Sequence, residues 1–137
     1  LAAELSAAGL RVEQARVGPG TTRAEFARLR QRAAVVELTV VSVSIAPFQY
    51  RELGLEGPFS AWVEALAADG HRVVAVSLGS PYVVEAFPSV GTYLLGWSTS
   101  GASQRAVASA LLGNAPIGGR LPVSLPPNHR QGEGLTR

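Results

Sequence analysis

Two apolar runs, Val35–Ile45 and Val73–Leu78, constrain this chain more than anything else in it. A strand with one wet face alternates apolar and polar residues. The first run is instead rich in β-branched residues and the second is apolar at every position but Ser77, as strands covered on both faces must be. Between them lies a helical pattern, Phe59–Ala68, carrying Trp62, Val63 and Leu66 and ending at Gly70. Doubly buried strands separated by helices predict a mostly parallel sheet with helices on each side. Right-handed crossovers then bring every strand's C-terminal end to one rim. Ligands of open α/β sheets sit outside that rim.

The other elements follow from local signals. Leu1–Ala8 reads as the end of a helix stopped by Gly9, and Leu10–Val17 alternates as a strand does. Gly18-Pro19-Gly20 is a turn. Thr22 with Glu25 three residues later is a capping box opening a helix to about Ala33, with Phe26 and Leu29 inward. The loop Ala46–Pro58 follows the first buried strand. Pro81–Ala86 reads as a short helical turn, Thr92–Trp97 as a strand, and Ala102–Leu112 as a helix stopped by Gly113. Leu121–Leu125, flanked by prolines, is predicted to be a short edge strand. With 137 residues the chain makes one domain. We divide it into residues 1–126 as the α/β domain and 127–137 as a polar, flexible tail.

Composition excludes several functions. A net charge of +2 argues against nucleic acid, and the arginine cluster Arg23, Arg28, Arg30 and Arg32 has helical spacing without interleaved aromatics. No run is long and apolar enough to span a bilayer. Cysteine is absent and His71 and His129 stand far apart, so neither a disulfide framework nor a metal site is expected. No cofactor is expected either. Gly18-Pro19-Gly20 has Arg23 where a dinucleotide fingerprint needs its third glycine, and a phosphate-binding P-loop needs a lysine, which this chain lacks. Leu1–Leu10 contains Glu4 and no basic start, so it is not a signal peptide. The absent initiator methionine points to a longer parent, which leaves localisation open.

Three loops are expected on the rim: Ala46–Pro58, Gly79–Tyr82 and Ser98–Gly101. The last resembles a nucleophile elbow in context, but Gly96-Trp97-Ser98-Thr99-Ser100 lacks the final glycine. The one aspartate, Asp69, and His71 fall on the opposite rim, so a serine triad is not expected. Ser98–Ser100 offers hydroxyls to cap the following helix. Glu52 and Glu56 are the carboxylates of the first loop, beside Tyr50 and Arg51. Glycoside cleavage needs two carboxyl groups flanking the bond, about 5 Å apart in retaining enzymes.

Ser80-Pro81-Tyr82, Ala102-Ser103-Gln104-Arg105 and Gly118-Gly119-Arg120-Leu121-Pro122 occur here in an order that resembles the C-terminal α/β domain of family 3 glycoside hydrolases. The likeness is to the bacterial β-N-acetylhexosaminidase and β-glucosidase types. It implies an α/β/α three-layer sandwich with a flavodoxin-like open sheet. It also implies an accessory role: the domain packs on a (β/α)8 barrel of the same polypeptide and lines its sugar cleft. The barrel, absent here, would carry the aspartate nucleophile. In β-glucosidase-like relatives the first loop carries the acid/base glutamate, which makes Glu52 the catalytic candidate, but the usual Glu-x-Glu-Gly-x-Asp-Arg run is missing. The N-acetylhexosaminidase branch uses a His–Asp pair near Lys-His-Phe-Pro-Gly-His-Gly in the barrel, also absent. Tyr50, Arg51, Ser80, Tyr82 and Ser98 are the candidate sugar contacts. The alternative is a free-standing doubly wound module that binds carbohydrate or protein without catalysis, with Tyr50, Tyr82 or Trp97 as its platform.

Overall fold

The computed structural model describes residues 1–45, 55 and 58–136. Three parallel strands, β1 (Thr39–Val43), β2 (Val73–Ser77) and β3 (Thr92–Leu95), lie side by side in the order β1-β2-β3. Val41 stands opposite Ala75, and Ala75 opposite Tyr93. The helices are α1 (Ala2–Ala7), α2 (Arg23–Ala33), α3 (Pro58–Ala68) and α4 (Gly101–Leu111), with a 3-10 helix at Pro81–Ala86.

Side chains alternate across a strand, so odd and even positions feed different cores. Val41, Val43, Val73 and Ala75 join Ala33, Val63, Leu66, Val83 and Phe87 on the face covered by α2, α3 and the 3-10 helix. Val74, Val76 and Leu78 meet Val107, with Leu1 and Leu111 packed alongside, on the face covered by α1 and α4. Every residue of β2 is buried, which is why its sequence shows no polar alternation. The open α/β sheet with helices on both sides agrees with the sequence reading.

Local signals set the ends. Thr22 and Glu25 form the predicted capping box of α2, and the backbone turns left-handed at the expected stops Gly70 (φ 81°) and Gly113 (φ 71°).

Three predicted strands change. Leu10–Val17 is not a strand: among the described residues no backbone hydrogen bond reaches residues 11–17, and Arg11, Glu13, Gln14 and Arg16 are exposed. Alternation supplies a face to bury but no neighbour to pair with. The first buried strand starts at Thr39, because Val35–Glu37 still belongs to the turn leaving α2 and Val35 is 84% exposed. Leu121–Leu125 is not an edge strand of the sheet. Leu125 forms an isolated antiparallel bridge with His129, and Leu121 exchanges hydrogen bonds with Gly132 and Glu133. Its backbone is satisfied by the following segment, so it has no need of the sheet.

Candidate functional site

The C-terminal rim of the sheet is laced by backbone. Past β1, Ile45 O accepts from Ser80 N at 3.1 Å, and Val43 O from Leu78 N at 2.8 Å. Past β3, Gly96 N donates to Ser77 O at 2.7 Å. The strand ends therefore stay in register one residue or more beyond the sheet. This close approach requires glycine at 79, where a Cβ would sit 2.1 Å from Ile45 O. At Gly96 a Cβ would press on Leu78 and Val107 side chains at 2.7 and 3.0 Å.

Ser80, a predicted sugar contact, is 5% exposed, its N–H on Ile45 and its carbonyl taking the Ser77 hydroxyl at 2.6 Å. Its backbone knits two strand ends together. Tyr82 is half-buried at the start of the 3-10 helix. Ser98 is exposed, and its hydroxyl accepts from Ser100 N at 3.1 Å. Ser100 is the N-cap of α4, its side chain accepting from Ser103 N at 3.2 Å, so capping accounts for this serine cluster. Ser80, Tyr82 and Ser98 thus follow adjacent strands on one rim. Tyr50, Arg51, Glu52 and Glu56 lie outside the described residues.

Trp97, a platform in the binding-module reading, closes the same rim, while Tyr93, inside β3 opposite Ala75, escaped the sequence reading. Trp97 has φ 59°, a left-handed backbone that a bulky residue rarely adopts, and is 44% exposed. In an elbow the nucleophile would carry that strain; here Trp97 carries it. Tyr93, on the α3 side of β3, buries its hydroxyl with no well-formed hydrogen bond among the described residues. Burial drives its pKa well above the ordinary phenol value, and the nearby Ser77 hydroxyl offsets only part of the rise. No motif signals Tyr93, because its burial depends on its register against β2.

The serine-triad reading fails on geometry as expected. Asp69 closes α3 on the opposite rim, where the Arg30 guanidinium grips its carboxylate (Nε at 2.9 Å, with Nη2 also bonded). Among the described residues no cluster of His, Asp and Glu has the makings of a metal site. No described helix is long and apolar enough to cross a membrane.

The family description "Glycosyl hydrolase family 3 C-terminal domain" matches residues 9–135. No curated protein matches the chain. Among solved structures, a glycoside hydrolase family 3 β-N-acetylglucosaminidase from Paenibacillus sp. str. FPU-7 is similar, with a TM-score of 0.69 and 24% identity. The match covers 82% of this chain and 20% of that one, so the similarity is to one part of a larger enzyme.

Proposed function

Since this chain belongs to the glycosyl hydrolase family 3 C-terminal domain family, we propose that it is the accessory domain of a retaining β-glycosidase. It packs on a (β/α)8 barrel of the same polypeptide and walls one side of the sugar cleft with its C-terminal rim. The observation that carries this reading is the family match over 9–135, joined to a likeness that covers 20% of a whole enzyme. The β-N-acetylhexosaminidase type is favoured by the activity named for the Paenibacillus enzyme, with the β-glucosidase type second. In this reading the sheet belongs to a flavodoxin-like three-layer sandwich.

The roles divide between domain and barrel. The barrel supplies the nucleophile, and in the hexosaminidase type the acid/base as well. This chain supplies rim contacts to the sugar: Ser80 through the strand ends it ties, Tyr82 and Ser98 beside it, and Tyr50 and Arg51 from the first loop. Glu52 becomes the acid/base in the β-glucosidase type. A carboxyl group there would need burial against the sugar to keep its proton near neutral pH.

The test is an assay of residues 1–137 with p-nitrophenyl β-N-acetylglucosaminide and p-nitrophenyl β-glucoside. No turnover above background is expected, because one carboxylate cannot do the work of two. Turnover that disappears on Glu52→Gln would overturn the accessory role.

A further inference from the structure

The turn after β3 carries a residue that its backbone disfavours. Ser98 N donates to Gly96 O at 2.7 Å, across Trp97 alone, so residues 96–98 close a three-residue turn. Its central φ of 59° makes it the rarer and more strained form of such turns. Glycine adopts that backbone freely, whereas a bulky side chain resists it. Among the described residues no other non-glycine has a left-handed φ. Strain of this kind persists only where the surroundings over-determine it. They do so here. Gly96 N donates to Ser77 O at 2.7 Å on one side, and the Ser98 hydroxyl accepts from Ser100 N at 3.1 Å on the other. Thr99 O accepts from Gln104 Nε2 at 2.8 Å, and Ser100 caps α4. The neighbours on both sides are tied down, while Trp97 itself stands 44% exposed.

What surrounds the turn says what fits it. Trp97 is followed by Ser98, Thr99 and Ser100, all exposed. An aromatic that anchors a protein partner sits in a packed patch whose neighbours exclude water. Trp97 has hydroxyls for neighbours instead. Val35, Val36 and Leu38, the exposed apolar residues closest together in sequence, precede β1 on the opposite rim and do not extend its surface. A flat apolar ring bordered by hydroxyl groups matches a pyranose, whose faces carry C–H bonds and whose edge carries hydroxyls. Such C–H bonds stack on the negative face of an indole, and the hydroxyls at the edge exchange hydrogen bonds with serine and threonine.

We propose that Trp97 is a stacking platform for a pyranose ring, held ready by the strained turn that bears it. This deepens the accessory-domain reading, on which it rests, by giving the rim the residue that takes the face of the sugar. Trp97 binds and orients the ring and takes no part in breaking a bond. The strain has a reason in this light: glycine would satisfy the turn and leave nothing to stack on. Because the bonds that fix the turn lie within this chain, the platform is formed without any other domain to shape it.

The experiment follows the two indole N–H signals by NMR while methyl β-N-acetylglucosaminide or methyl β-glucoside is added to about 100 mM, one ring on one platform having a Kd on the order of 10 mM. With either sugar the Trp97 signal should shift and saturate, while that of Trp62, whose indole nitrogen is buried, stays in place. Sorbitol, which has the hydroxyls and no ring, should move neither. The amides of Ser98 and Thr99 report the variants. Their response to sugar should vanish in Trp97→Gly, which relaxes the turn, and persist with about three- to tenfold weaker binding in Trp97→Phe. If the glycine variant fails to fold, judged by its Trp62 signal, the phenylalanine variant carries the comparison. A Trp97 signal that neither sugar moves would overturn the proposal, as would one that sorbitol moves equally or a response that Trp97→Gly leaves intact. The two readings fail separately. A silent Trp97 in a chain without turnover removes the platform and leaves the accessory role. A responsive Trp97 in a chain whose turnover depends on Glu52 removes the accessory role and leaves the platform.

Discussion

Among the described residues the buried Tyr93 hydroxyl makes no well-formed hydrogen bond, only a weak approach to the Ser77 hydroxyl, and a group hidden this way costs about 1–3 kcal/mol. Tyr93→Phe keeps the ring and removes the burden, so a gain of about 1 kcal/mol in unfolding free energy is expected from denaturant titration. The pH dependence has a definite sign. The folded protein holds this proton above the ordinary phenol value. The stability this gives is full below that value and is lost as the pH climbs through it and beyond. The native chain should weaken there and the phenylalanine variant should not; a variant less stable than the parent would mean that the hydroxyl has a partner. Residue-level meaning was unevenly legible in the sequence. Thr22 and Glu25 announce themselves, since a capping box is local. Gly79 reads from the sequence only as part of a rim loop, but it is required by the Ile45 carbonyl just past β1, 34 positions earlier. Spacing along a chain does not report contacts of that range.

At the scale of elements, the best-read pieces are those that carry their own reason. β2 is buried throughout and apolar up to Ser77 because both faces are covered, and α2 opens where its cap stands. That cap is itself titratable. The Thr22 backbone N–H, donating to Glu25 Oε2 at 2.7 Å, and then the Thr22 hydroxyl, hold the Glu25 carboxyl below its usual range. Its support for α2 is present above the unfolded carboxylate value and is lost as pH falls through the lower, folded one. Amides in the first turn of α2 should therefore exchange faster relative to α4 in acid, measured at equal global stability. Glu25→Gln should remove most of that pH dependence; an unchanged profile would assign it elsewhere. Leu10–Val17 and Leu121–Leu125 were misread for a shared reason. A strand exists only with a partner, and pattern describes one side of a pair. One stretch has no partner among the described residues, and the other finds its partner in the segment after it.

The whole molecule was legible to the extent that its order of elements and three motif runs led to a family, and the match over residues 9–135 agrees. The candidate site was legible only as a rim. Ser80, Tyr82 and Ser98 do follow neighbouring strands, but the left-handed backbone of Trp97 depends on where β3 stops and the burial of Tyr93 on its register against β2. The chain has two tryptophans, and the fold gives them opposite circumstances. Trp62 lies between Phe26 and Phe59, with ring centroids 6.0 and 6.3 Å away and its indole nitrogen buried. Trp97 stands 44% exposed on the rim. The molecule thus carries two lamps, one shuttered and one open. Acrylamide should quench the redder, Trp97 share of the emission and spare most of the rest, and Trp97→Phe should abolish the quenchable share. A barrel settling on the rim would then be seen as one lamp being shuttered while the other burns unchanged as the reference.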